Sequence, residues 1–200
     1  MKKTLKIGAA GAVIALSMGM SSVVHAADDA DATASVEVLK PLTLTNDTGL
    51  DFGAVAVNGS GTVAMAIGAF GAADLTCSAD IVCTGTSGLA GFTVSAGSAG
   101  RTVTVDLPSA GIDLVHTAPA DPLAVDPATE VIELGSYVTD ADEGTDVFGA
   151  PNGEYSVTLG GSGDPDEGEA SFQVGGTLTF DGSEVAGTYE GTFNVSVEYS

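Results

Sequence analysis

Between Gly187 and Ser200 apolar and polar residues alternate almost without a break. Tyr189, Phe193, Val195, Val197 and Tyr199 fall on one parity, and Glu190, Thr192, Asn194, Ser196 and Glu198 on the other. Successive side chains of a strand point to opposite faces, so this spacing predicts one long β-strand with a buried face and a wet face. Residues 172–180 repeat the pattern, with Phe172, Val174, Leu178 and Phe180 facing one way. Gly175-Gly176 at their centre predicts a bulge or bend, because paired glycines weaken a regular strand. Asp181-Gly182 supplies turn chemistry, so the two runs are expected to pair as an antiparallel hairpin. Shorter alternating runs predict further strands at 34–44, 62–67, 92–96, 102–107, 131–134 and 155–159, separated by Gly, Asp, Pro and Ser clusters. Eight or nine such strands, with no amphipathic helical period after residue 26, predict an all-β antiparallel sandwich. Residues 118–129, with three prolines, and 139–153, with Asp140, Asp142, Glu143 and Asp146, are expected to be surface loops.

The opening of the chain follows another pattern. Lys2, Lys3 and Lys6 precede an apolar stretch from Ile7 to Val24, which closes on Val24-His25-Ala26 before an acidic run. Charged head, apolar middle and small-x-small end predict a secretory signal at 1–26, removed to leave a single exported domain at 27–200. A stretch of 18 residues would also just span a bilayer, but the Gly- and Ala-rich composition and the placement of the cleavage site favour the signal. No integral membrane segment is then expected in the mature chain. No cysteine lies near the junction, which excludes a lipid anchor through that residue.

Cleavage sharpens the charge. Three of the five basic residues leave with the signal, so Lys40 and Arg101 face 27 acids, a net charge of 2 − 27 = −25. Such a chain repels nucleic acid and anionic membranes. The acids also keep an extracellular all-β surface from aggregating.

Candidate chemistry is sparse. Cys77 and Cys83 are the only cysteines, and an even count in an exported chain favours a disulfide. Its small loop contributes about 2 kcal/mol by chain entropy, a local staple. Redox or metal use would call for CxxC spacing or histidine partners. His116 is the one histidine after residue 26, at a strand end or loop, and no GxSxG elbow surrounds any serine. Neither a catalytic site nor a cofactor is expected. Calcium is the chemical alternative: Asp140, Asp142, Glu143 and Asp146 crowd one loop, and Asp164, Asp166, Glu167 and Glu169 another. Hard cations need several converging carboxylate oxygens, and neither run has EF-hand spacing. Asp140, Asp142 and Asp146 therefore stand as weak calcium candidates against a simple solvated loop.

The two ends carry a resemblance. Gly187 stands fourteenth from the end and Tyr199 is penultimate, with alternating apolar residues between them. This resembles the C-terminal β-zipper signature of chaperone-usher pilins, comprising here Gly187, Tyr189, Phe193, Val195, Val197 and Tyr199. The segment TASVEVLKPLTLTNDTGLDFGAV, with its Leu50-Asp51-Phe52-Gly53 step, looks like the start of archaic pilins and spore-coat-U-type domains. PLTLT…LDFG, FQVGGTLTF and GTYEGTFNVSVEY together are closer still to domain-of-unknown-function family 4402, small secreted bacterial proteins. The likeness covers both ends, roughly a third of the chain.

The resemblance implies an immunoglobulin-like, pilin-like sandwich that lacks its final strand and assembles by donor-strand complementation into a surface fibre or adhesive coat. The partners implied are further copies or related subunits, with a periplasmic chaperone and usher in transit. The donor strand would be 34–44, presenting Ala34, Val36, Val38, Leu42 and Leu44. Burying the four larger side chains yields roughly 6 to 12 kcal/mol against an association cost of roughly 4 to 15 kcal/mol, so ladder hydrogen bonds are needed as well. Lys40 and Pro41 interrupt the donor pattern, the proline deleting a ladder donor. The cysteine pair also lies farther on than in archaic pilins. The same segment could instead fold back as an ordinary first strand, giving a self-contained secreted sandwich that acts as a binding or coat protein.

Overall fold

The computed structural model describes residues 31–117, 131–141, 154–161, 164 and 166–200. In chain order the strands are β1 Thr43–Thr48, β2 Ala54–Val57, β3 Gly61–Ile67, β4 Ala73–Cys77, β5 Ile81–Thr84, β6 Ala90–Ser98, β7 Thr102–Asp106, β8 Ile112–His116, β9 Val131–Thr139, β10 Glu154–Thr158, β11 Gly160–Gly161, β12 Glu167–Phe180, β13 Tyr189–Glu190 and β14 Ser196–Tyr199. A 3-10 turn, Ala69–Gly71, joins β3 to β4. The chain divides into two units, 1–37 and 38–200. Of the first, residues 31–37 are described; they form no helix or strand, and Val36 is 88% exposed.

The 14-residue β12 organises the second unit. On one edge it pairs β6 along its first half and β3 along its second, and on the other it pairs β11 and then β9. The register against β9 slips between Gly175 and Thr177, at the bend expected from Gly175-Gly176. Gly175 is needed there for space as well: a Cβ would collide with the Met65 carbonyl of β3. The main sheet runs β1-β6-β12-β9-β8-β13, a second sheet runs β10-β7-β14, and β2 pairs β5. Every strand pairing is antiparallel. The fold is thus an all-β antiparallel sandwich.

Alternation sends the apolar parity of each strand inward. In β7, Val103 and Val105 are fully buried while Thr102 and Asp106 are exposed. These valines meet Phe92, Val94, Phe172 and Val174 of the main sheet and Tyr155, Val157 and Leu159 in one cluster. Phe92 and Phe172 stack with ring centroids 5.4 Å apart. A second cluster gathers Phe52, Val63, Met65, Ile81, Leu134, Leu178 and Phe180. Phe193, half-buried, packs against both.

Several sequence expectations need correction. Residues 31–42 form no strand, so the segment expected at 34–44 is regular only from Thr43. Pro41 offers no N–H to a ladder, and an alternating run without a partner strand has nothing to hold it extended. The C-terminal run is not one strand either. Tyr189–Glu190 pairs β8 of the main sheet, Ser196–Tyr199 pairs β7 of the second, and 191–195 crosses between them. Gly191 permits the crossing, since a Cβ would press to 2.6 Å from Leu114. The hairpin expected between 172–180 and 189–199 is therefore absent: neither β13 nor β14 pairs β12. Asp181-Gly182 still turns, Gly182 at φ +92°, and the Ser183 hydroxyl and N–H hold the Asp181 carboxyl below the ordinary aspartate range. Short strands β2, β4, β5, β8 and β11 escaped the sequence reading. The loop at 118–129 and most of 139–153 lie outside the described residues.

Cys77 and Cys83 are disulfide-bonded, joining the end of β4 to β5. Among the described residues β4 pairs only β3 and β5 pairs only β2, so the bond ties the β2-β5 ribbon to the main sheet. Reducing it should lower stability by about 2 kcal/mol in denaturant melts while the protein remains folded. Loss of the whole fold on reduction would contradict this local role.

Candidate functional site

The last strand of the second sheet is open on one side. β14 pairs β7 in the register Ser196↔Asp106, Val197↔Val105, Glu198↔Thr104 and Tyr199↔Val103, and among the described residues no strand lies on its other edge. The Ser200 N–H donates to the Thr102 carbonyl. Antiparallel ladders bond at alternate residues, so the backbone groups of Ser196 and Glu198 face β7, and those of Val197 and Tyr199 face the open edge. Val195, Val197 and Tyr199 remain half-buried and pack on the first core cluster, while Asn194, Ser196 and Glu198 are exposed. The parity read from sequence therefore holds across the crossing even though the strand is interrupted.

An open cleft of about 470 Å³ lies where the end of β7 and the start of β8 face the crossing segment. Leu107, Pro108, Ile112 and Phe193 line it with apolar surface, and Asp106 and Ser196 sit at its rim. Phe193 is fixed in this wall by an edge-on contact with Phe92 at 6.4 Å and a tilted one with Tyr137 at 5.2 Å. Burial raises the Tyr137 phenol above its ordinary range, and its hydroxyl donates to the Leu134 carbonyl.

The expected donor residues separate into two groups. Val36 and Val38 stand 88% and 87% exposed, and Ala34 is exposed as well. Leu42 and Leu44 instead pack against the domain's own first cluster, where β1 pairs β6. The division falls at Lys40. Its N–H donates to Ser98 Oγ at 3.0 Å, its carbonyl accepts from the Tyr199 hydroxyl at 2.7 Å, and its Nζ bridges to Glu167 at 3.3 Å. Lys40 and Pro41 thus lie where exposed residues give way to packed ones. Sequence could not show this, because Ser98 and Tyr199 lie 58 and 159 residues from Lys40.

The remaining candidates scatter. Gly187 precedes β13, where a Cβ would collide with the His116 imidazole. His116, the last residue of β8, packs edge-on against Tyr189 at 4.9 Å, and its Nε2 donates to the Ala186 carbonyl. Asp140 accepts from the Gln173 N–H at 2.6 Å, while Asp142 and Asp146 lie outside the described residues. Asp164 caps the Asp166 N–H, and Glu167 holds Lys40. Among the described residues no group of three or more His, Cys, Asp or Glu is arranged to hold a metal ion. Among the same residues no helix is long and apolar enough to cross a membrane.

No curated protein and no solved structure matches the chain significantly. The sequence model of one family, described as a domain of unknown function (DUF4402), matches residues 42–199, from the half-buried Leu42 to the tyrosine that ends β14, and the chain belongs to that family.

Proposed function

We propose that this protein is an exported structural subunit whose N-terminal arm fills the open β14 edge of another copy, building a surface fibre or adhesive coat. The observation that carries the reading is the pairing of an unfilled strand edge with an exposed, alternating apolar segment in the same chain. β14 offers the outward-facing backbone groups of Val197 and Tyr199 above half-buried side chains, and the arm offers Val36 and Val38. Strand addition of this kind takes affinity from main-chain hydrogen bonds and specificity from alternate side chains. The signal at 1–26 and the secretory route, with a chaperone and usher in transit, belong to the same proposal. No chemistry beyond binding enters it.

On this reading the donor is shorter than residues 34–44. With Leu42 and Leu44 already packed at home, an arriving arm buries chiefly Val36 and Val38, roughly 3 to 6 kcal/mol. That falls below or near the cost of association, roughly 4 to 15 kcal/mol. The ladder to β14 and the cleft beside Phe193 must supply the rest. The second reading, a self-contained secreted sandwich, draws on one observation: residues 43–48 fold back onto β6 as an ordinary first strand.

Val36→Asp with Val38→Asp should weaken self-association roughly 100-fold or more in sedimentation or non-denaturing gels. The thermal midpoint of the domain should stay put, since exposed substitutions move stability by no more than about 0.5 kcal/mol. Deleting residues 27–39, which leaves Lys40 in place, should give a soluble folded monomer. A wild-type chain that stays monomeric at every concentration would favour the self-contained sandwich.

Charge generates a second test. Copies at −25 repel, so assembly should accelerate as salt shortens the screening length from about 30 Å at 0.01 M to about 8 Å at 0.15 M. An assembly rate that falls with added salt would point to attraction between charged patches instead.

A further inference from the structure

We infer that the Phe70 loop is a docking knob for a second copy of this chain, and that its socket is the open cleft lined by Phe193. The inference goes beyond the arm reading above: it uses neither residues 31–39 nor the β14 edge.

The loop is built to hold an aromatic ring in water. Residues 63–73 carry no charged, hydroxyl or amide side chain. Pairing of β3 with β4 brings the two ends of this run together, and the turn between them closes on itself. The Gly68 N–H donates to the Ala72 carbonyl at 2.7 Å, and the Gly71 N–H to the Gly68 carbonyl at 3.3 Å. Phe70 sits at φ +61° and Gly71 at φ +72°. This left-handed region suits glycine and strains phenylalanine, whose Cβ crowds the following carbonyl. Gly71 in turn lies over Gln173 of β12, where a Cβ would meet the amide oxygen at 3.0 Å. The Phe70 side chain is left fully exposed and belongs to neither core cluster. Backbone strain and exposed aromatic surface both disfavour phenylalanine here, and glycine would relieve both. A residue held at such a cost points to a role outside folding.

Charge singles out the same residue. The other large apolar side chains that stand exposed among the described residues are Val36, Val38, Val82, Val115, Val131 and Val185. Each has an acid within two positions: Glu37 beside the first two, then Asp80, Asp113, Glu133 and Glu184. Flanking charges of this kind keep apolar surface from sticking. Phe70 has none nearer than Asp74. In a chain of net charge −22, it alone among these residues can meet another copy without bringing a neighbouring carboxylate along.

The same molecule holds the complement. The cleft of about 470 Å³ has room for a phenyl ring and is walled by Leu107, Pro108, Ile112 and Phe193, the last offering an aromatic partner. Asp106 is the one charged residue that lines it. Lipid is the weaker fit for the knob: a lone phenylalanine carries less apolar surface than an acyl chain, and one acyl chain alone binds membranes only marginally. Knob and socket are different parts of one surface, so the contact is heterologous, each copy giving its loop to one neighbour and its cleft to another. An aromatic side chain buries about 150–250 Å², far below the roughly 1,200 Å² of a stable complex. The contact is therefore weak and shows at high protein concentration.

Sedimentation at high concentration tests it, using the full chain with Val36→Asp and Val38→Asp as parent so that the arm contributes nothing. Phe70→Ser should lower the association constant roughly 10- to 100-fold. The melting midpoint should not fall. Thr192→Glu sets an unpaired carboxylate on the cleft wall and should weaken association as much. Mixing the two variants should restore association as a one-to-one heterodimer, since one keeps its cleft and the other its knob. A parent that is monomeric at every concentration, unchanged association in either variant, or a mixture that stays monomeric would overturn the proposal. Flotation of the parent with phosphatidylcholine vesicles, abolished by Phe70→Ser, would overturn it too by placing the ring in lipid. The arm is silenced throughout, so none of these failures touches the proposed function.

Discussion

Phe193 is the contact on which the arrangement of sheets depends. The chain has to leave the main sheet after Glu190 and enter the second sheet at Ser196, and the five residues between make no ladder of their own. Backbone crossing of this kind is held by side-chain packing or not at all. Phe193 supplies it by touching both core clusters and sitting edge-on to the Phe92 ring that stacks with Phe172. Burying most of one phenylalanine contributes roughly 1.5 to 3 kcal/mol, enough to fix the crossing but not to close the sheets over it. The cleft beside it is what remains unclosed.

Most of the inward faces were legible in the sequence, and most of the partnerships were not. The parity of Tyr189, Phe193, Val195, Val197 and Tyr199 survives in the structure as alternating half-buried and exposed positions, because parity is a local property of an extended chain. Whether those residues formed one strand depended on Gly191 meeting Leu114 and on which strands waited at each end, and neither is a local fact. The same distinction explains the missing hairpin. A turn at Asp181-Gly182 was visible, but β12 had already filled both edges with β3, β6, β9 and β11, leaving no side for the chain that follows. Short strands such as β2 and β5 were missed since four residues carry too little alternation to stand out.

The site divides in the same way. Val36 and Val38 could be recognised as an apolar strip, whereas the boundary at Lys40 is written in contacts to Ser98, Glu167 and Tyr199 that span most of the chain. A lysine on an apolar register reads as a defect while the strip is assumed continuous. Once the strip ends at that residue, the same lysine becomes the place where the arm is fastened. Its ion pair with Glu167 is about 40% exposed at both ends and is worth less than about 1 kcal/mol. The tyrosine bond, half-buried and doubly engaged, is the firmer attachment.

An unpaired edge on an all-β protein is an aggregation hazard, and the sequence treats it as one. Glu198 is exposed in β14, and a net charge of −22 sets whole molecules against one another. These charges act at long range on any approaching copy, while in the proposed assembly the apolar contact would act only once an arm is seated. On the proposed reading, repulsion of bodies and attraction of arms act over different distances and do not exclude each other. On the proposed reading a weak donor fits this balance: two valines alone would not hold a neighbour, and only an arm that also completed the ladder to Val197 and Tyr199 would stay bound.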